Sequence, residues 1–250
     1  MNQKQQNLSD EAFFEYYCSS ADIVYNNGEQ EAIFIKDKNY AFRYISPGYI
    51  SDFDPESSVL TETQEKLQTE EERTQARIIL QQDELIRKNL ETHKFIYVDS
   101  YKHIILIHKS PIINPSTNNF VGILGSAQSF MLPNVLDIIY KINGVNFGLI
   151  NKEQSKPLKY ELTPRQHMIL FFYLNKYSYS EVSIIMSTLG YKISAGRVNN
   201  HLENLKYIFA VKTKEQLIEK AISLKYHLFI PRQLLKVGSY ELNDVLLISK

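Results

Sequence analysis

The chain has 250 residues, room for one large domain or two ordinary ones, and 44% hydrophobic content with 22% charge excludes a wholly disordered polymer. Its 28 basic and 28 acidic residues cancel overall, but residues 1–150 hold 13 Lys+Arg against 20 Asp+Glu, net −7, and residues 151–250 hold 15 against 8, net +7. The single cysteine, Cys18, excludes an internal disulfide framework and a multi-cysteine zinc site, and no apolar run approaches the roughly 18 residues of a membrane helix.

The charge split predicts two parts with different partners, the basic one meeting a polyanion. The polar start MNQKQQNLSDE does not read as a signal peptide, so a cytoplasmic location is expected. An N-terminal helical segment (1–27) contains AFFEYYCSSADIVY (12–25), a short amphipathic helix. AIFIKDKNYAFRYIS (32–46) holds two β-rich runs around a turn at Asp37-Lys38-Asn39, and Pro47-Gly48 breaks the second run. Residues 62–92 turn helical and charged, with Ile78, Ile79, Leu85, Ile86 and Leu90 as the apolar stripe. FIYVDSY (95–101) and HIILIHK (103–109) are further β runs; Pro111 and Pro115 mark a loop, and FVGILGSAQSF (120–130) closes the segment. Two strands, helices and three strands predict an α+β domain with an antiparallel sheet over 28–131. Residues 132–158 read as a connector, with VLDIIYKI (135–142) as a short helix candidate.

The basic half opens on helix signals. Thr163-Pro164-Arg165-Gln166 combines an N-cap, a proline at the first helical position and a capping box. Ser178 with Glu181 and Thr213 with Gln216 repeat the box, and Gly190 ends the second helix. Four short helices over 159–226 predict an all-α helix-turn-helix unit, followed by a tail, 227–250. In the third helix Val198, Leu202, Leu205 and Phe209 form one buried stripe, leaving polar groups on the opposite face. A recognition helix has this build. There Arg197 suits guanine O6/N7, and Asn199, Asn200 or Asn204 suits adenine N6/N7. Lys192, Lys206, Lys212 and Lys214 stand near helix ends, where phosphates lie. A helical bundle with a solvated polar face fits the same pattern.

Leu162-Thr163-Pro164-Arg165, Ser180-Glu181-Val182, Ile193-Ser194, Arg197-Val198-Asn199-Asn200-His201-Leu202 and Lys214-Glu215-Gln216-Leu217 resemble a LuxR-type (GerE-like) helix-turn-helix domain over about 162–225. The chain departs from that pattern where Asn199 replaces the usual lysine and where the turn STLGYKIS (187–194) is longer. The resemblance implies that Arg197, Asn199, Asn200 and His201 face DNA and that 214–225 form a dimerisation helix; with Lys192, Ser194, Asn204 and Lys206 they make up the expected DNA-binding surface, and double-stranded DNA and a second copy are the expected partners.

In the N-terminal half, AIFIKDKNYAFRYISPGY, QQDELIRKNLETHK and FVGILGSAQSF, in that order, resemble a PAS domain over about 28–131. That family senses ligands or redox state or mediates dimerisation. Phe34, Tyr44, Tyr97, Ile105, Ile107 and Ile123 are candidates for a ligand pocket, with ordinary core packing as the other reading. A small-molecule ligand fits the resemblance, and no cofactor is identified: His93, His103 and His108 carry no haem-attachment signature, and no metal site is read. The phosphate-loop, zinc-protease, serine-hydrolase and dinucleotide motifs are all missing, so no enzyme is expected. The reading is a dimeric transcriptional regulator. The alternative is a PAS-based module whose C-terminal bundle binds a protein.

Overall fold

The computed structural model describes residues 8–26, 32–53, 69–130 and 159–242, without the side chains of Phe53, Glu71 and Glu72. The expected connector, with its helix candidate at 135–142, lies outside the described residues. The chain divides into two compact units, 1–130 with 237–250, and 131–236. Among the described residues no helix is long and apolar enough to cross a membrane.

In the first unit, α1 (Asp10–Tyr25) is capped by Ser9, whose Oγ accepts from the Ala12 N–H at 3.3 Å. Strands β1 (Ala32–Asp37) and β2 (Phe42–Ile45) form a hairpin. Its turn is closed by Asp37, whose Oδ1 accepts from the N–H groups of Asn39 and Ala41. Pro47 does more than break β2, because it opens α2 (Pro47–Phe53). Buried Ser46 stabilises that start, its Oγ accepting from the Tyr49 N–H and from the Ile33 N–H of β1. Then come α3 (Glu70–Asn89), β3 (His93–Val98), β4 (Ile104–Ile113) and β5 (Phe120–Ser129).

The expected loop at Pro111 is not there; Pro111 lies inside β4, opposite Ile123. Pairing of β4 with β3 ends at Lys109, so beyond that point β4 is bonded on one side only, where a missing N–H is tolerated. The sheet runs β2-β1-β5-β4-β3 in antiparallel pairs, and a sixth strand, β6 (Gly238–Glu241), follows β3 at the edge. Strand alternation divides the side chains between two faces. Phe14, Ala21, Ile35, Ile112 and Val121 pack under α1, and Phe34, Tyr49, Ile86, Phe95, Ile105, Ile107 and Ile123 pack under α2 and α3. Gly125 gives the Phe34 ring its place, since a Cβ there would stand 2.0 Å from that ring.

The second unit contains α4 (Pro164–Leu174), α5 (Tyr179–Thr188), α6 (Ala195–Ile208) and α7 (Lys214–Ser223). All three expected capping boxes form, at Thr163/Gln166, Ser178/Glu181 and Thr213/Gln216. Gly190 ends α5 with φ +91, which suits glycine. Met168, Ile169, Val182, Met186, Val198, Leu202, Leu205 and Phe209 share one core. Fully buried Tyr226 closes it: its hydroxyl accepts from the Tyr160 N–H and donates to the Tyr160 carbonyl, both at 2.9 Å.

Candidate nucleic-acid interface and sensor cavity

Helix α6 is set by its apolar stripe. Val198, Leu202 and Leu205 are fully buried against α4 and α5, which fixes which residues point outward. Ser194 is the N-cap, its Oγ accepting from the Arg197 N–H at 3.4 Å, and Ser183 holds the preceding turn by donating to the Ile193 carbonyl at 2.7 Å. Gly196, Arg197, Asn200 and Asn204 are exposed along one side of α6. Tyr207, 83% exposed, extends that face by a turn. It was not among the expected residues, although its spacing of three from Asn204 puts it on the same face.

The remaining expected residues sit differently. Lys192 is exposed in the turn before α6. Asn199 and Lys206 flank the outward face on the side of α7, and both are tied down. The Lys214 Nζ donates to Asn199 Oδ1 at 2.8 Å and pairs with Glu203 at 3.6 Å, while Lys206 pairs with Glu203 at 2.5 Å. The Lys214 ammonium also lies 4.7 Å from the centre of the Tyr179 ring. That hydroxyl, more than any other neighbour, raises the lysine's pKa. An ammonium from α7 is therefore bonded to the Asn199 side chain, the position where the LuxR-type pattern has its own lysine. His201 is half-buried on the opposite flank; burial first, then the charges of Arg165 and Arg197, lower its pKa and favour the neutral ring.

In the first unit, a cavity of about 10 Å³, room for roughly one water, lies between the sheet and α3. Of the six expected pocket residues, Phe34, Tyr97 and Ile107 line it, joined by Phe42, Tyr49, Ile79 and the polar groups of Lys36, Gln82, Lys109 and Ser239. Ile105 and Ile123 belong to the same apolar layer without reaching the cavity. Tyr44 does not join it: paired with Ile35, it faces α1 across the sheet.

The polar side of the cavity is a buried charge cluster. Asp83, 1% exposed, takes the Lys36 ammonium on one oxygen and the Lys109 ammonium on the other, each at 2.6 Å. Two cations share one carboxylate. Burial is the main reason that Lys109 is held down from 10.5 to about 8. Both ammonium groups also face rings, Lys36 at 4.6 Å from Phe42 and Lys109 at 5.4 Å from Phe95. Alternation signals these lysines in the sequence, since Lys36 continues the inward parity of Phe34 and Lys109 that of Ile107. Of the three histidines without a haem-attachment signature, His93 bonds Glu241 at 2.6 Å, exposed His103 bonds Asp99 at 2.8 Å, and His108 is half-buried.

No family model matches the sequence, and no curated protein matches it. Solved structures that share its fold include two VqmA complexes. The phage VqmA–DPO complex has TM-score 0.63 at 21% identity, covering 93% of this chain and 99% of that chain. The Vibrio cholera VqmA–ligand–DNA complex has TM-score 0.60 at 18% identity, covering 94% and 96%. At such identities the likeness is one of fold alone: an antiparallel α+β domain and a helical unit in one chain.

Proposed function

We propose that the chain is a dimeric, sequence-specific transcriptional regulator in which the PAS-like unit senses a small molecule and α6 reads DNA. The observation that carries this is α6 itself, a capped helix anchored by Val198, Leu202 and Leu205 that presents Arg197, Asn200 and Asn204 outward. In a major groove Arg197 pairs with guanine O6/N7, and Asn200 or Asn204 with adenine N6/N7. Lys192, Lys206 and the α6 N-terminus at Ser194 contact phosphates. Lys214 takes the phosphate role of the replaced lysine, with Asn199 holding it in place, and neutral His201 packs the helix. Working limits are 28–131 for the sensor, its sheet completed by β6, and 159–226 for the DNA-binding domain.

DPO, named with the phage VqmA structure, serves as the probe ligand for the sensor, whose cavity of about 10 Å³ must widen to admit it. Aromatic walls beside an ammonium suit a small planar molecule with a hydrogen-bond acceptor or an anionic group. The chain acts as a cytoplasmic binding protein and not as an enzyme.

Fluorescence anisotropy of the full chain on labelled genomic duplexes at two salt concentrations tests the reading. The expected result is binding whose log affinity falls with log salt by about 0.9 per phosphate contacted. A flat salt response, or no binding to duplex DNA, would overturn it in favour of a protein-binding bundle.

A further inference from the structure

The edge strand of the sensor's sheet lies beyond the DNA-binding helices in sequence. β6 pairs antiparallel with β3, matching Val98 with Gly238, Tyr97 with Ser239, Ile96 with Tyr240 and Phe95 with Glu241. The Leu242 N–H then donates to the Lys94 carbonyl at 2.9 Å, and Leu242 is buried. The register puts Ser239 and Glu241 on the inner face with Tyr97 and Phe95. Glu241 bonds buried His93 at 2.6 Å, and Ser239 enters the cavity wall. There the Ser239 Oγ accepts from Gln82 Nε2 at 2.8 Å, while Gln82 Oε1 accepts from the Lys109 ammonium at 3.4 Å. A chain of hydrogen bonds thus runs from the buried lysine through α3 to the last strand.

Resting on the sensing role proposed above, we infer that residues 238–242 are a working part of the ligand site, and that docking of β6 and occupancy of the cavity favour each other. Two physical consequences of the geometry support this. With β6 in place, Lys109 and Gln82 are nearly cut off from water, and hydrogen bonds to a ligand are stronger in that low-dielectric setting. A ligand that engages Lys109 and Gln82 in turn fixes the amide that holds Ser239. Linkage makes the effect reciprocal: whatever factor β6 adds to ligand affinity, the ligand adds to β6 docking.

The test uses the full-length chain and two variants, with DPO as probe, in calorimetric titration and amide exchange. Ser239→Pro breaks the β6 ladder, and Ser239→Ala removes only the hydroxyl. The expected result is DPO affinity reduced at least about tenfold by Ser239→Pro and about threefold by Ser239→Ala, in line with a lost strand and a lost hydrogen bond. DPO should also slow exchange at residues 238–242 of the unsubstituted chain. Equal DPO affinity in all three chains, or exchange at 238–242 unchanged by bound DPO, would overturn the inference. If the unsubstituted chain does not bind DPO, the choice of ligand fails, and exchange without ligand decides the strand's part. Gln82→Leu should then speed exchange at 238–242 severalfold, and an unchanged rate would overturn the link from cavity to strand.

Discussion

Replacing Asp83 by Asn removes the one carboxylate that two buried ammonium groups share and leaves the shape of the site nearly intact. Breaking a buried ion pair by removing one partner costs about 3–5 kcal/mol, because the other charge stays buried and uncompensated. Here Lys36 and Lys109 both lose their partner at 2.6 Å, which puts Asp83→Asn at the upper end of that range. Lys109→Met has the opposite character, since it leaves Lys36 and Asp83 as a balanced pair. Burial holds Lys109 down from 10.5 to about 8, so keeping it charged inside the fold costs about 3 kcal/mol relative to water. The substitution should therefore range from neutral to stabilising by about that amount. The pH dependence follows from the same shift. The folded pKa lies below the unfolded one, so the penalty is fully present below pH 8 and is relieved as pH rises from about 8 toward 10.5. Urea titration read through amide exchange at Ile105–Ile107 and Ile123 reports on this unit alone. Asp83→Asn within about 1 kcal/mol of the unsubstituted chain would refute the reasoning. So would a Lys109→Met variant as costly as Asp83→Asn, or one that keeps the alkaline rise in stability.

Other substitutions test the remaining links. Arg197→Ala or Asn200→Ala should each cost about 1–3 kcal/mol on the preferred DNA site and relax the choice at one base pair, as anisotropy on site variants will read. Lys214→Ala should weaken binding evenly across sequences and flatten the log–log salt slope by about 1, a change that a purely structural lysine would not make. Gly125→Ala puts a Cβ 2.0 Å from the Phe34 ring and should cost the first unit roughly 1–3 kcal/mol in urea titration; no change would mean that Phe34 moves freely. Thr163→Ala should cost the helical unit about 1 kcal/mol in the same assay by removing the cap of α4.

Signals confined to a few neighbouring residues were legible in the sequence. The three capping boxes, the Asp37 turn, the glycine end of α5 and the period of α6 all follow from such signals. Pro47 was readable as a break but not as a helix start, because that depends on buried Ser46 bonding to Ile33 across the fold. Pro111 suggests a loop until the partner strand is seen to end at Lys109. β6 has four residues, GSYE, with no apolar alternation, and it is a strand because β3 offers it an edge. Tyr44 was assigned to the cavity by residue type, and its register decides otherwise. The charge cluster was hidden for a similar reason. Strand parity marks Lys36 and Lys109 as inward-facing, but Lys36, Asp83 and Lys109 lie far apart in the chain, and no local pattern shows that they meet. Of the recognition surface, the outward face of α6 was legible, whereas the bond from Lys214 to Asn199 depends on how α7 packs beside α6.

The measurement that bears most directly on the central claim is selection of DNA by the full-length chain from a random duplex pool, with sequencing of the retained fraction. The account predicts enrichment of a two-fold symmetric site with half-sites about 10 base pairs apart, lost when Arg197 and Asn200 are both replaced by Ala. Retention without sequence preference, unaffected by that double substitution, would contradict it.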